Sequence, residues 1–353
     1  EAAAAVVDID LAVTSPRYPG LDEDESYRLE ITGSAIRIQA ATEIGGLRAV
    51  ATLAQLLNES PVLPAVEISD APRFSWRGLL LDPARHFLPL SALLRTLDGM
   101  AACKLNVLHL HLSDDQGFRL PSAAFGKLSS NQHYSVEDLQ TLVNYAADRG
   151  IRVVPELDMP GHVNCWLTAY PQWGSGSTGS TDRFGVHQAC LDPTSEAVYQ
   201  AIEALLAELS GYFPDPCIHI GGDEVHPEWW SSDERIGEFM RQRGMAGIAD
   251  LQNYFNMRVG EMVSRLGRQV VAWDEVVHEQ LPADWIVQAW RGATSRDRVR
   301  ARGNRVVMSA PYYLDLHYSA HSHYQFDPAA SQSRLIDLED GLAADPRCAH
   351  VAE

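Results

Sequence analysis

From Arg77 onward the chain alternates two patterns, and that alternation limits its fold more than any other feature. Short apolar runs end in turn, polar or aromatic residues at Gly78–Asp82, Leu105–Leu112, Ile151–Pro155, Cys217–Ile220, Gln269–Trp273, Trp285–Ala289 and Arg305–Ser309. Amphipathic stretches of helical period lie between and after them, at Pro89–Cys103, Val136–Arg149, Ser195–Tyr212, Leu251–Leu266 and Ser295–Arg302. Strand-length runs separated by helix-length segments predict βα units and a parallel sheet, an α/β fold. Seven such strands in series fit a (β/α)8 TIM-type barrel better than an open sheet. In that barrel the chemistry belongs to the carboxyl ends of the strands.

The strand count stops at seven. A helix-like stretch follows at Leu335–Ala344, and Ala349–Val351 ends the chain where an eighth strand is due. Closing a barrel needs that strand, so the expectation is a C-terminally truncated barrel over 73–353. Residues 1–72 read as a small α+β domain, itself partial. Tyr27-Arg28-Leu29-Glu30-Ile31 and Ala35-Ile36-Arg37-Ile38-Gln39 alternate with period two around a Thr-Gly-Ser turn, a hairpin pattern. Gly46 to Leu57 reads as a helix with Leu47, Val50, Leu53 and Leu57 on one face. Pro61, Pro64 and Pro72 mark the exit into the barrel. The Gly/Ser-rich residues 171–190 form a long loop, and such loops in compact domains are functional lids or mobile segments.

The formal net charge of −19 disfavours nucleic acid and anionic membrane as partners. The longest apolar runs are of strand length, so no membrane span is expected. The first residue is Glu1, with no Met and no basic leader, which reads as a removed signal or a fragment. Five scattered cysteines contain no CxxC or Cys/His zinc spacing. Cys103 and Cys217 lie in apolar contexts and are expected in the core, whereas Cys165 and Cys190 flank a loop that a disulfide would close.

At the strand ends the polar residues concentrate. Strand one ends in Asp82…Arg85-His86-Phe87; Arg85 is placed to donate to ligand hydroxyls or to pair with a neighbouring strand-end acid. Strand two carries His109 and His111 on one face, then Asp114-Asp115-Gln116. A His-x-His pair at a barrel mouth is one half of a metal site, but strands five and six end in Trp273 and Trp290 rather than in further ligands. Buried, hydrogen-bonded histidines are the plainer reading, and no metal or cofactor is expected. After strand three, Pro160-Gly161 turns the chain toward His162. There His162 serves either as a turn residue or, paired with Asp114 or Asp158, as a charge relay to a catalytic carboxyl. After strand four, Gly221-Gly222 precedes Asp223-Glu224. Adjacent carboxylates repel, which raises one pKa and lets the pair divide acid and anion roles. Trp273 and Trp290 supply flat walls for a pyranose ring. Tyr313 and Asp315 follow strand seven toward the same mouth.

These blocks, in this order, resemble the family 20 glycoside hydrolases, the β-N-acetylhexosaminidases. The likeness covers nearly the whole chain. It runs through Arg77-Gly78, Asp82…Arg85-His86-Phe87, Lys104-Leu105-Asn106-Val107-Leu108-His109-Leu110-His111, Asp114-Asp115-Gln116-Gly117 and Pro155-Glu156-Leu157-Asp158-Met159-Pro160-Gly161-His162. It continues through His219-Ile220-Gly221-Gly222-Asp223-Glu224-Val225, Trp273-Asp274-Glu275 and Tyr313-Leu314-Asp315. The resemblance implies an exo-acting, retaining enzyme that removes terminal β-linked N-acetylglucosamine or N-acetylgalactosamine. The substrate's own acetamido oxygen attacks C1 and forms an oxazolinium ion, a stated exception to the two-carboxylate rule.

The resemblance also assigns roles. Glu224 is the general acid and then the base; Asp223 holds the acetamido N–H and the developing charge. Arg85 binds the sugar's outer hydroxyls, Asp315 is a further sugar-pocket contact, and Asp114 and His162 stand beside the catalytic pair. Trp273 and Trp290 enclose the acetamido methyl, and Tyr313 bonds its carbonyl. The family supplies a further Trp and Glu from strand eight, and this sequence reaches Glu353 before either. That departure keeps open a carbohydrate-binding protein on a degraded barrel, and His109 with His111 a metal-dependent hydrolase. The partners implied are N-acetylhexosamine-terminated glycans, with a homo-oligomer completing the site left open. Glycan substrates and a Cys165–Cys190 bridge favour a periplasmic or extracellular location, while free thiols fit the cytoplasm.

Overall fold

The computed structural model describes residues 6–129, 132–310, 312–315 and 319–329. Its N-terminal part is a four-stranded sheet in the order Val6–Leu11, Ala35–Ala40, Tyr27–Ile31, Val66–Asp70. The expected hairpin is present, with Leu29 opposite Ile38. One helix, Glu43–Glu59, covers the sheet and starts where the Thr42 hydroxyl accepts the Gly45 N–H at 3.1 Å. Its buried side is Ile44, Arg48, Ala49 and Leu53, whereas Leu47, Val50 and Leu57 are exposed. The expected face is therefore turned. Arg48 is drawn inward because its Nε donates to the buried Glu25 carboxylate at 2.6 Å. Glu25 also receives Arg77 at 2.6 Å and Asn106 at 2.8 Å, joining this sheet to the start of the barrel.

The second part is one seven-stranded parallel sheet whose spatial order follows the chain. Strands one to seven are Gly78–Leu81, Val107–His111, Arg152–Glu156, Cys217–His219, Gln269–Trp273, Ile286–Ala289 and Arg305–Met308. All seven coincide with the predicted runs to within one or two residues at each end. Helices Leu90–Ala102, Val136–Ala147, Glu196–Tyr212, Ile248–Arg265 and Ala293–Ala301 fall where they are predicted. A helical crossover is what a parallel pair requires. Leucines and valines of the outer strand faces, such as Leu108, Leu110 and Val153, pack against helix residues Leu93, Leu97, Leu205 and Leu209. Each such fully buried side chain contributes about 1.5–3 kcal/mol. This sheet fits a TIM-type barrel lacking one strand. Strands one and seven are its two edges among the described residues; the expected helix at 335–344 and eighth strand at 349–351 lie outside them.

One further expectation is corrected, and the open question of a bridge is answered. Cys103 is exposed rather than in the core, at the end of its helix. Cys165 and Cys190 are both free thiols; Cys190 packs with Trp230, Ile236 and Leu251, away from Cys165. Loop 171–190 is anchored at two places. Gly174–Ser175 pairs with Cys190–Leu191 at its base, and the Asn164 side chain grips Thr178 N and Gly179 O at 2.9 and 2.7 Å.

Candidate active site

The carboxyl ends of strands two, three and four meet in a set of charged groups with alternating sign. Strand four stops at His219 because Gly221 and Gly222 take φ of +70° and +102°. No other residue fits the first: a Cβ on Gly221 would lie 1.7 Å from Asp158 Oδ1. Glu224 and His162 are themselves left-handed, with φ of 47° and 54°. Non-glycine residues in that region are strained, and such strain collects at functional sites.

His162 is the centre of the set. Its Nδ1 lies 3.2 Å from Asp114 Oδ1. Its Nε2 lies 3.4 Å from Glu224 Oε2 and 3.8 Å from Asp223 Oδ2. The ring is fully enclosed; burial opposes its charge, but Asp114 and Asp158 hold the pKa well above the usual range. Asp114 is buried as well. Burial opposes its charge, yet His162 and His111 keep it well below the carboxylate range. Arg85 adds an ion pair to Asp114 at 2.8 Å while also bonding Asp82 at 2.6 Å. Of the two readings of Arg85, the pairing with strand-end acids is present, and the side chain remains a quarter exposed.

Asp223 and Glu224 do not divide roles by mutual repulsion alone. The Asp223 carboxyl is raised chiefly by burial, with Glu224 a small contributor. Asp158 is shifted in the same direction. It is raised well above the usual range by full burial and by the Asp223 charge. Asp158 hydrogen-bonds Asp223, and its Oδ1 accepts the Gly222 N–H at 3.1 Å. Glu224 is the more open of the two acids, its side chain 34% exposed against 15% for Asp223.

The aromatic residues come from the next strands. Trp273 is almost wholly buried, and its indole N–H donates to Glu156 Oε1 at 2.9 Å. Trp290 donates to both Glu275 oxygens at 3.1 and 3.0 Å and faces Tyr313 with ring centres 6.5 Å apart. Burial pushes the Tyr313 hydroxyl well up, aided by the charges of Asp223, Glu224, Glu275 and Asp315. The structure thus brings Arg85, Asp114, His162, Asp223 and Glu224 into one linked group; Tyr313 feels the charges of Asp223 and Glu224 and faces Trp290, while Asp315 is exposed and its charge acts on Tyr313. Sequence reasoning missed the weight of Asp158, Glu275 and Glu156. Burial pushes Glu275 up to about 9, helped by Asp223. The adjacency Asp274-Glu275 after Trp273 was the available signal for it.

Ligand atoms of His109, Glu156 and His219 lie within 4.8 Å of one another. Part of this group is hydrogen-bonded, since His219 Nδ1 accepts the Gly221 N–H at 3.0 Å and Glu156 takes the Trp273 and His111 donors, whereas His109 Nε2 and His219 Nε2 have no hydrogen-bond partner among the described residues.

The pattern of Glycosyl hydrolase family 20, catalytic domain, matches residues 74–348. The chain belongs to glycoside hydrolase family 20. The pattern of this family's domain 2 matches residues 2–71. The chain is 34% identical over 343 residues to the β-hexosaminidase subunit beta of Homo sapiens, covering 88% of this chain and 59% of that protein. It is 33% identical over 337 residues to the corresponding subunit of Entamoeba histolytica, covering 88% and 59%. The chain therefore spans about three fifths of the length of these curated relatives. Among solved structures it resembles the Flavobacterium johnsoniae chitobiase, with a TM-score of 0.87 and 37% identity, over 93% of this chain and 52% of that one. The Bacteroides fragilis β-N-acetylhexosaminidase gives 0.76 and 26% over 96% and 70%. No described helix is long and apolar enough to cross a membrane.

Proposed function

We propose that this chain is the barrel and preceding domain of an exo-acting, retaining β-N-acetylhexosaminidase. It removes terminal β-linked N-acetylglucosamine or N-acetylgalactosamine from glycans by substrate-assisted catalysis. One observation carries the reading: the enclosed His162 ring reaches Glu224 and Asp223 with one nitrogen and Asp114 with the other. A proton-transferring acid and a charge-stabilising acid thereby stand beside one imidazole, with different solvent access for each.

In this reading Glu224, the more open acid, protonates the departing glycosidic oxygen and later deprotonates water. Asp223, bonded by a protonated Asp158 and facing His162, stays anionic beside the acetamido N–H. The acetamido oxygen closes on C1 as the C1–O bond breaks, and positive charge spreads over the resulting oxazolinium ring, where Asp223 opposes it. Tyr313 donates to the acetamido oxygen, Trp273 and Trp290 shape its dry pocket, Arg85 binds outer hydroxyls, and Asp315 is a further sugar-pocket contact. Holding the acetamido group in line with C1 supplies the proximity term of the rate. The names of the relatives support N-acetylhexosamine glycosides as substrates.

The test is hydrolysis of p-nitrophenyl N-acetyl-β-glucosaminide beside the matched β-glucoside and a Glu224→Gln variant. Turnover confined to the acetamido substrate and lost in the variant is expected. Equal cleavage of both substrates sinks the substrate-assisted mechanism, and full turnover by the variant removes Glu224 from its role.

A further inference from the structure

His109, His111, Glu156 and His219 lie inside the barrel beneath the pocket, and the mechanism above uses none of them. Their positions follow from strand register. His111 of strand two pairs with Glu156 of strand three, and Glu156 pairs with His219 of strand four. Parallel neighbours in register point to one side of the sheet, so three adjacent strands deliver these side chains to one layer. Glu156 is completely inaccessible to solvent. An ionised carboxylate there is tolerated only when donors surround it. Trp273 Nε1 donates to Oε1 at 2.9 Å. His111 Nδ1 contacts Oε2 at 2.8 Å, and His109 Nε2 lies 2.9 Å from the same oxygen. The other nitrogen of His111 is 2.8 Å from Asp114 Oδ2. One imidazole thus joins Glu156 to the acid that holds His162, while the same carboxylate grips an aromatic of the pocket.

We propose that Glu156 is a positioning residue that keeps two parts of the pocket in register from a single buried carboxylate. Through Oε1 it sets the Trp273 indole. Through Oε2 and His111 it sets Asp114, and with it His162. The inference rests on the functional reading given above for Trp273, Asp114 and His162. The charges agree with the geometry. Burial works against a proton on His111, but the Glu156 charge, then Asp82 and Asp114, hold its pKa well above the usual range. Glu156 is opposed by burial and held well below its usual range by His219, His111 and His109. Both ring nitrogens of His111 face carboxylate oxygens, so a proton on each lets the imidazole donate in both directions through charge-assisted bonds. Ligand-orienting partners of this kind act through the groups they hold rather than by touching substrate.

Three variants separate the two branches: Glu156→Gln, His111→Leu and Trp273→Phe. Each is assayed for kcat and KM on p-nitrophenyl N-acetyl-β-glucosaminide and for its unfolding midpoint. The Trp273 indole N–H is followed by NMR on protein labelled with 15N-tryptophan, its resonance being the one missing from Trp273→Phe. Glu156→Gln is expected to lose about 100-fold in kcat/KM, the cost of small misplacements at a reacting centre, and to move the indole resonance. His111→Leu cuts only the branch to Asp114. It should lower kcat, leave KM within about threefold, and leave the indole resonance in place. A folded Glu156→Gln with wild-type kcat, KM and indole resonance overturns the proposal, as does a His111→Leu that moves the indole while kcat stays intact. If Glu156→Gln does not fold, Glu156→Asp withdraws the same charge by one methylene and must show the same two changes; an unchanged Glu156→Asp overturns the proposal. If the wild-type chain hydrolyses nothing, the functional reading falls, and an indole resonance unmoved by Glu156→Gln then overturns the hold on Trp273 by itself.

Discussion

Asp158→Asn separates a protonated Asp158 from an ionised one. The side chain is fully buried, bonds Asp223, and accepts the Gly222 N–H through Oδ1 at 3.1 Å. A protonated carboxyl and a carboxamide share that pattern of one acceptor and one donor edge. If Asp158 carries its proton in the working enzyme, the asparagine variant keeps both bonds, and kcat/KM should stay within about threefold of wild type. If Asp158 were instead ionised, the substitution would remove a charge beside Asp223. Two unit charges about 4 Å apart interact by about 4 kcal/mol at an effective dielectric of 20, which is a change of roughly a thousandfold. Asp158→Ala is the control. Losing a hydrogen bond to a charged group costs about 1.5–3 kcal/mol, or roughly 10- to 150-fold in kcat/KM. Stability gives a second readout. Because the folded-state pKa of Asp158 lies above its ordinary value of 3.8, the native state binds the extra proton. That contribution is complete below pH 3.8 and declines as pH rises toward the folded pKa, by about 1.4 kcal/mol per pH unit. The asparagine variant lacks this decline, so its unfolding midpoint relative to wild type should climb as pH rises above about 4. A loss of a hundredfold or more in the asparagine variant, or a midpoint difference that is flat with pH, refutes the reasoning.

Glu275→Gln should behave in the same sense. Wild-type stability declines from pH 4.5 toward about 9 as Glu275 is forced to ionise; the variant, still able to accept from the Trp290 indole, should lack that part of the decline in thermal melts. Glu25→Ala leaves Arg48 and Arg77 without their shared carboxylate. Breaking a buried pair in this way costs about 3–5 kcal/mol, to be read from urea unfolding as a lowered midpoint. Its wild-type contribution is present above pH 4.5 and lost as pH falls, because the folded-state pKa is depressed. Gly221→Ala places a methyl on the Asp158 carboxylate at a backbone angle that disfavours any side chain. It should abolish turnover with a marked fall in melting temperature, and a variant that melts and works like wild type would show that the turn is not as tight as described.

The barrel was readable because the physics that makes its strands is local. A strand covered on both faces must be apolar throughout, and a parallel return needs a helix-length segment. Both leave their mark within some thirty residues of chain, as from Gly78 to Val107. The outer strands Val6–Leu11 and Val66–Asp70 were missed because they are half polar and largely exposed. The turned face of helix Glu43–Glu59 has a non-local cause, since the partner that draws Arg48 inward lies 23 residues before it. The same limit governed the site. His162, Asp223 and Glu224 stood out because each closes a strand with a turn residue next to it. Glu156 gave no such mark; its partners lie 45 residues earlier, at His111, and 117 later, at Trp273. A carboxylate in a mostly apolar strand is the one trace such a hub leaves in sequence, because a charge so placed must find donors on strands not yet identified. Read that way, Arg152-Val153-Val154-Pro155-Glu156 announces a polar barrel interior before any partner is known. Pairing the inward positions of neighbouring strands then names His111 and His219 as the first places to look.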